Sequence, residues 1–203
     1  MFFGMITTVM RILVASHNGH KIKEIKEYFK HLDIEIISLR DIDFDFEIEE
    51  TGKTFLDNAL IKAKTIQSFY PNHAILADDS GFSVKALGNE PGVNSARFLG
   101  SGTVDALKNK EILKLLEGVI DRKAMFTCAM VLLTPSQQFV TQQVVYGSVS
   151  QEIRGTGSFG YDPIFIPEHT TKTFAEDLEY KAKVSHRSKA LMEVLKYVEY
   201  LAE

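Results

Sequence analysis

The chain has little of what marks a secreted or membrane protein. Its 203 residues include one cysteine, Cys128, so an internal disulfide framework is excluded and a reducing cytoplasm is the expected compartment. Because Cys128 lies in an apolar run, we predict a buried structural thiol. No apolar run approaches the roughly 20 residues of a membrane span, and residues 1–10 lack the positive charge of a signal peptide. We predict a disordered or variable leader over residues 1–10 and a single domain over residues 11–203.

The chain also lacks an excess of positive charge. It has 23 basic and 27 acidic residues, a net charge of −4. A nucleic-acid-binding protein needs a basic face, so neither nucleic acid nor membrane is an expected partner. A small anionic ligand is not excluded, because such a ligand feels only the lysines and arginines around it.

Hydrophobic periodicity predicts an α/β fold. Residues 11–16 and 34–39 have the composition of buried strands, and the segment between them carries apolar residues at helical spacing. Parallel strands need such a crossover, so these residues predict a β-α-β unit. Thr54 is a predicted cap for a second helix, which ends before Pro71.

The second half of the chain is richer in strands. Residues 125–133 and 139–149 are long β-rich runs separated by a turn-forming segment, which predicts an antiparallel pair. Further helices are predicted over residues 104–116 and from about Ser188 onward. We expect one elongated α/β unit, a two-lobed mixed-sheet fold with a central cleft.

Two adjacent acids, Asp78 and Asp79, follow the apolar run at residues 74–77. The run has the length of a buried strand, so the acids are predicted at its carboxyl end, where ligands bind in open α/β sheets. Carboxylates there are costly to bury unless they are paired, hydrogen-bonded or bound to metal. Gly81 permits a sharp turn or a close approach to a ligand. A plain turn explains this stretch equally well, since Asp, Ser and Gly are common turn residues.

The turn after the first strand has the pattern Ser16-x-Asn18-x-x-Lys21. Free N–H groups at a helix start favour an anion, and a lysine nearby adds a full charge. Taken alone the motif is weak, because a solvated turn with a surface lysine is the commoner outcome. It is not a Walker loop, since the Gly-Lys-Ser/Thr ending is missing.

A second acidic pair, Glu49-Glu50, precedes the second helix. Alone it would only complement the helix dipole. Together with Asp78 and Asp79 it provides two acidic sites on separate loops, which can hold Mg²⁺, a cation that prefers oxygen ligands. A remaining carboxylate could then take a proton from a water molecule.

Residues 155–163 form a glycine-rich segment that contains Phe159 and Tyr161. Flat side chains on a flexible loop suit stacking on a nucleobase, although a β-bulge with core aromatics explains the same residues. Lys181, His186 and Arg187 precede the predicted last helix and can donate hydrogen bonds to carbonyl or phosphate oxygens.

These motifs, in this order, resemble those of the inosine/xanthosine triphosphate pyrophosphatases, the Ham1-like family. The resemblance extends from Arg11 to the C-terminal helix. Its blocks are Ser16-x-Asn18-x-x-Lys21-x-x-Glu24, Glu49-Glu50-Thr51-Gly52, Phe55-x-x-Asn58-Ala59, Ala77-Asp78-Asp79-Ser80-Gly81, Pro91-Gly92-Val93-x-Ser95-Ala96-Arg97, Phe159-Gly160-Tyr161-Asp162-Pro163 and Ser185-His186-Arg187.

The resemblance implies a homodimer that uses Mg²⁺, with Mn²⁺ a possible substitute, to hydrolyse non-canonical purine nucleoside triphosphates (ITP, dITP and XTP) to the monophosphate and pyrophosphate. It implies that Asp79 is the general base and a metal-site residue, and that Glu49 or Glu50 helps to hold the metal. The implied triphosphate contacts are Ser16, His17, Asn18, Gly19, His20, Lys21, Ser80 and Lys181. The implied base and sugar contacts are Phe159, Gly160, Tyr161, Asp162, His186 and Arg187.

Two other functions stay open at this point, a nucleotide-binding protein without turnover and a pyrophosphatase for modified pyrimidine nucleotides. Four carboxylates beside a polyanion argue against the first unless a cation lies between them. For the enzyme, His186 and Arg187 offer hydrogens to the 6-oxo group of inosine or xanthosine. Guanine shares that oxygen, so its exclusion must act at position 2 of the ring, and the sequence does not show which residue acts there. His17 and His20 depart from the resemblance, since small residues are frequent at their positions.

Overall fold

A six-stranded mixed sheet forms the centre of the protein. The computed structural model describes residues 10–46 and 48–202. The strands are β1 (Met10–Val14), β2 (Ile34–Ser38), β3 (Ala74–Val84), β4 (Lys123–Leu133), β5 (Gln138–Val149) and β6 (Phe165–Pro167). The helices are α1 (Gly19–Phe29), α2 (Phe55–Phe69), α3 (Asp105–Leu115), α4 (Leu178–Val184) and α5 (His186–Ala202). The strand order is β2-β1-β3-β4-β5-β6, which confirms the predicted mixed α/β fold.

The predicted β-α-β unit is present at the start of the sheet. β1 pairs in parallel with both β2 and β3, and α1 packs Ile22, Ile25 and Phe29 into the core beneath them. Met10 belongs to β1, and residues 1–9 of the predicted leader lie outside the described residues. α2 begins after Thr54, whose hydroxyl accepts a hydrogen bond from the Asp57 N–H, as the predicted cap requires.

The acidic pair lies in the middle of β3, so its prediction at the carboxyl end of a strand was wrong, and the alternative of a plain turn is excluded as well. β1 pairs with β3 only as far as Leu76. β4, however, pairs antiparallel with β3 from Ile75 to Val84, and it supplies the backbone hydrogen bonds that let the polar residues continue in the strand. Asp78 and Asp79 therefore lie just beyond the end of β1, where β3 has lost one of its two neighbours.

The long strands β3 and β4 run through both lobes of the predicted two-lobed fold. At one end of these strands, Leu76 and Met130 pack with α1 and α5, whereas Ile75 and Val131 pack with α2. At the other end, Phe82 and Phe126 pack with α3 and β6 in an aromatic cluster. Residues 78–81 lie in the middle of β3, at the junction between the two lobes.

Gly81 fits this junction because it has no side chain. A Cβ added there would lie 2.4 Å from the Gly92 carbonyl oxygen and 2.5 Å from the Ser95 hydroxyl. We expect Gly81→Ala to lower the free energy of unfolding by about 1–3 kcal/mol, the usual cost of overpacking, in urea denaturation. Gly19→Ala is the matched control, because the nearest atom to its added Cβ is 3.5 Å away, on Arg40. Equal unfolding midpoints for the two variants would contradict this, because they would show that Gly92 and Ser95 shift to accommodate the added methyl group.

The C-terminal half follows the prediction except near the last helix. β4 and β5 form the expected antiparallel pair, and α3 begins at Asp105, within the predicted range. The last helix begins at His186 rather than Ser188, and a short helix, α4, precedes it. Cys128 is buried as predicted, and burial raises the pKa of its thiol to about 12. Within the described ranges, no helix is long and apolar enough to cross a membrane.

Candidate active site

Two adjoining cavities open at the junction of the lobes. The first, of about 220 Å³, is lined by Phe82, Phe126, Phe159 and Tyr161; we name it the aromatic cavity. The second, of about 450 Å³, is lined by Asp45, Glu50 and Asp79; we name it the acidic cavity. Both are lined by Asn18, Lys21, Ser80 and Ala96. A ligand with a flat ring and a charged tail could therefore span the two.

The structure gathers nearly all of the predicted site residues around these cavities. The aromatic cavity is lined by Asn18, His20, Lys21, Ser80, Phe159, Gly160, Tyr161, Asp162, Lys181, His186 and Arg187. The acidic cavity is lined by Ser16, His17, Asn18, Lys21, Glu50, Asp79 and Ser80. Gly19 and Glu49 line neither, and Glu49 is exposed to solvent.

Asp78 is a fully buried carboxylate between two cations. Its Oδ2 lies 3.0 Å from Lys21 Nζ and 3.3 Å from an Arg187 nitrogen. Burial alone would raise its pKa, but Lys21, Arg187 and the nearby Lys62 outweigh burial and hold the pKa of Asp78 well below its usual range. Asp78 is therefore ionised at neutral pH, and it positions the lysine that both cavities share.

Asp79, the next residue, has a different environment. Its Oδ2 accepts a hydrogen bond of 3.0 Å from the Asn58 amide, and Lys62 Nζ lies 3.6 Å from Oδ1. Burial raises the pKa of this carboxyl, and Lys62 offsets the rise only in part. Adjacent carboxyl groups with pKa values shifted in opposite directions are typical of sites that divide acid–base work between two residues.

Glu50 and Asp79 face each other across Lys62. Lys62 Nζ donates to Glu50 Oε1 at 2.8 Å, and Arg97 lies 3.5 Å from the other Glu50 oxygen. The two carboxylates provide the oxygen ligands that Mg²⁺ prefers, and one or two such groups suffice where substrate phosphates and water complete the shell. The described residues contain no cluster of three His, Cys, Asp or Glu that could hold a metal by themselves. The donors thus fit Mg²⁺ bound together with a polyphosphate.

The start of α1 is capped by its own sequence motif. The Asn18 side chain accepts hydrogen bonds from the N–H groups of His20 and Lys21, and Ser16 Oγ accepts one from the Asn18 N–H. The cap uses two of the N–H groups that an anion would otherwise bind. In this turn, Lys21 is consequently the group that offers an anion a full positive charge.

Lys181 and Arg187 are held by a second group of carboxylates. Lys181 Nζ donates to Glu24 and Asp162, each at 2.7 Å, and Arg187 donates to Glu24 and to the Ser80 hydroxyl. Lys181 Nζ also lies 4.4 Å from the centre of the Phe159 ring. Lys181 thus lies on the aromatic cavity, whereas the family resemblance implied a contact with the triphosphate.

Four rings form a row along the aromatic cavity. Tyr161 stacks on Phe82 with 4.8 Å between ring centres, Phe82 lies 5.1 Å from Phe126, and His186 stacks on Phe126 at 4.6 Å. Burial, with Arg187 and Lys181 nearby, lowers the pKa of His186 well below its ordinary value, so the ring is neutral. Its Nδ1 is buried without a hydrogen-bond partner among the described residues. A ligand that reaches this nitrogen would satisfy it.

Phe159 and His20 close one side of the aromatic cavity. Their rings are stacked, with 4.8 Å between centres and 12° between planes. This contact joins the start of α1 to the glycine-rich segment on the other lobe. A base that stacks on the covered face of Phe159 must therefore displace the His20 ring.

Several residues that contact or line the site were not among the predicted site residues. Asn58 and Lys62 lie one turn apart on α2 and both face Asp79. Their spacing of four residues was a readable signal, since such residues share a helix face. Asp105 and Lys108 on α3 line the aromatic cavity, and nothing in their local pattern marks them.

Comparison with known proteins places the chain in a family. A sequence profile of the Ham1 family matches residues 12–197. A protein of Nautilia profundicola called dITP/XTP pyrophosphatase is 47% identical over 188 residues, which cover 90% of this chain and 94% of the relative. The chain belongs to the Ham1 family.

Solved structures of the same family share the fold. The Ham1 protein of Staphylococcus aureus has a TM-score of 0.83 at 35% identity and covers 93% of this chain and 98% of its own. A HAM1 protein of Coxiella burnetii has the same TM-score and identity and covers 94% of this chain and 99% of its own.

Proposed function

We propose that this protein is a Mg²⁺-dependent pyrophosphatase that hydrolyses ITP, dITP and XTP to the nucleoside monophosphate and pyrophosphate, and so removes non-canonical purines from the nucleotide pool. The name of the Nautilia relative supports the activity on dITP and XTP. We further propose that it acts in the cytoplasm as a homodimer, with Mn²⁺ as a substitute for Mg²⁺.

The observation that carries the proposal is the pair of adjoining cavities. The aromatic cavity offers flat rings and N–H donors to a purine, and the acidic cavity offers Glu50 and Asp79. Lys21 and Ser80 line both, where the sugar and the first phosphate of a bound triphosphate would lie. A carboxyl group in a cleft whose pKa is raised by burial beside specific charged partners is typical of functional sites.

The residues of the chain have separate roles in this proposal. Asp79 takes a proton from the attacking water, and its raised pKa brings it closer to the working pH of a general base. Asn58 fixes the carboxylate by its hydrogen bond to Oδ2. Lys21 binds a phosphate oxygen, while Asp78 holds its Nζ in place.

Glu50 and Asp79 are the residues that would hold Mg²⁺ together with phosphate oxygens. The bound ion would neutralise charge on the bridging oxygens during cleavage. Lys62 lies between the two carboxylates and keeps them from repelling each other before the ligand arrives.

Pyrophosphate release from ITP, XTP, GTP and ATP, each with and without Mg²⁺, tests the proposal. We expect rapid release from ITP and XTP, slow release from GTP and ATP, and none in excess chelator. Release of single phosphates, or binding of ITP without turnover, would refute the activity.

The metal assignment predicts a difference between two neighbouring glutamates. Glu50→Gln should raise the Mg²⁺ concentration that gives half-maximal activity by at least about tenfold, since loss of even a supporting residue typically weakens a metal site that much. Glu49→Gln is the matched control and should change it little, because Glu49 is exposed and lines neither cavity. Full activity in excess chelator, or equal effects of both variants, would contradict the assignment.

A further inference from the structure

Lys108 is a buried lysine on the wall of the aromatic cavity. It is 6% exposed, and it lines the cavity from the second turn of α3. Burying a lysine is costly unless its charge and hydrogens are used. We therefore expect Lys108 to use its charge and its N–H hydrogens toward a ligand in the cavity.

The contacts of Lys108 within the described chain leave some of its N–H hydrogens without an acceptor. Its Nζ donates one hydrogen bond within the described chain, to the Ala96 carbonyl at 2.7 Å. The nearest carboxylate oxygen, on Asp105, is 3.7 Å away, and the other oxygen of Asp105 accepts from the Gly160 N–H. A lysine has three N–H hydrogens, so Lys108 retains hydrogens that a ligand in the cavity can accept.

Three other cations line the cavity. Lys21, which is less buried than Lys108, is paired with the Asp78 carboxylate at 3.0 Å, and Lys181 and Arg187 are more fully engaged. Lys181 donates to two carboxylates, and Arg187 to two carboxylates and a hydroxyl. The buried groups of the cavity with spare capacity are thus Lys108 and His186 Nδ1.

Lys108 and His186 lie at different ends of the row of rings. His186 stacks on Phe126, the third ring. At the other end the Tyr161 hydroxyl donates to the carbonyl of Ser95, the residue before the one that Lys108 binds. A ring held between them therefore presents different edges to the two side chains.

We propose that Lys108 is a specificity-determining residue that contacts position 2 of the purine, while His186 contacts the 6-oxo edge. This inference rests on the proposed function and names the residue that separates xanthine and hypoxanthine from guanine. Xanthine carries an acceptor oxygen at position 2, which a lysine N–H satisfies. Hypoxanthine carries only C–H there, and guanine carries an amino group, which sets donor against donor.

Substitution of Lys108 by methionine tests the inference, because methionine keeps most of the length without the donors. We expect kcat/KM for XTP to fall by about tenfold or more relative to ITP, since a hydrogen bond to a charged group is lost. We expect kcat/KM for GTP to rise relative to ITP. Lys108→Arg should retain the wild-type order, because arginine keeps N–H donors. Lys110→Met, on the exposed side of the same helix, is the matched control.

Binding of the monophosphates XMP, IMP and GMP, measured by calorimetry with each variant, gives a readout independent of turnover. Loss of XMP affinity in Lys108→Met with IMP affinity retained supports the inference. A uniform loss for all three nucleotides would overturn it, because Lys108 would then contact the sugar or phosphate or support the fold. If the wild-type protein released no pyrophosphate from ITP or XTP, the proposed function would fail. If the wild-type protein is active but Lys108→Met leaves kcat/KM for XTP and GTP unchanged relative to ITP, the specificity role of Lys108 alone would be refuted.

Discussion

Replacing Asp79 with asparagine is expected to lower kcat for ITP by about 10²–10⁴-fold, the usual contribution of a general base. The asparagine amide cannot take the proton from water, but it has nearly the same shape and its oxygen can still accept the hydrogen bond that Asn58 gives to Asp79. The fold should therefore remain intact, and KM should change less than kcat. Single-turnover kinetics with ITP measure the effect, and circular dichroism checks the fold.

The neighbouring Asp78→Asn variant separates catalysis from structure. Asp78 holds Lys21 and Arg187 in a buried site, and removing one partner of a buried ion pair typically costs about 3–5 kcal/mol. We expect this variant to lose stability in urea denaturation, whereas Asp79→Asn does not. Equal losses of kcat at equal stability in both variants would show that the pair acts as one unit.

The pH dependence provides a further check on Asp79. A general base must be ionised, so kcat/KM falls as the pH drops through its pKa. Burial raises the pKa of Asp79 in the metal-free protein, so at Mg²⁺ concentrations well below saturation this fall should occur at a higher pH than the ordinary aspartate value of about 3.9. The residual activity of Asp79→Asn should lack this limb of the profile. A wild-type rate that stays constant through the acidic range would argue against a carboxylate base.

Local sequence predicted the elements of the fold better than their contacts. The strands β1 and β2, the Thr54 cap and the β4–β5 pair follow from periodicity and turn chemistry, which act over a few residues. The position of Asp78 inside β3 depends on pairing with residues near Met130, far along the chain. The seven-residue helix α4 is too short to show a clear periodicity, so Lys181 was expected outside a helix.

The candidate site shows the same difference between what local sequence predicts and what depends on distant contacts. The motifs indicated which segments meet, but not which side chains face each other. Glu49 and Glu50 are adjacent, and only the folded chain shows that Glu50 faces Lys62 while Glu49 faces solvent. Lys108 carries no signal in its own segment, since an amphipathic helix with a lysine on it usually exposes that lysine. Its burial depends on the short 3-10 helix Gly92–Arg97, whose Ala96 carbonyl accepts its hydrogen bond.

The second large expected effect is the preference of the enzyme for ITP over ATP. ITP should exceed ATP in kcat/KM by at least about 100-fold, below the roughly 10⁴–10⁵ that a fully enclosed polar site can reach. The 6-oxo group of inosine accepts a hydrogen bond, whereas the 6-amino group of adenosine donates. Arg187 can only donate, and neutral His186 can donate from one ring nitrogen. Arg187 keeps its carboxylate partners with either base, but adenine would leave the buried donor of His186 unpaired, which costs more than the hydrogen bond itself contributes.

His186→Phe is the decisive variant for this selectivity, because a phenyl ring can keep the stack on Phe126 while the nitrogens are lost. We expect the ITP to ATP ratio of kcat/KM to fall by about tenfold or more, with stability unchanged or raised, since a buried nitrogen without a partner is removed. Phe159→Leu is the control and should slow both substrates alike, because stacking does not distinguish purines. Arg187→Ala is a poorer test, because it would leave Asp78 and Glu24 without their shared partner. An unchanged ITP to ATP ratio of kcat/KM in His186→Phe would assign the 6-oxo contact to Arg187 instead. Arg187→Lys, which keeps the charge but loses the fork of donors, would then have to lower that ratio.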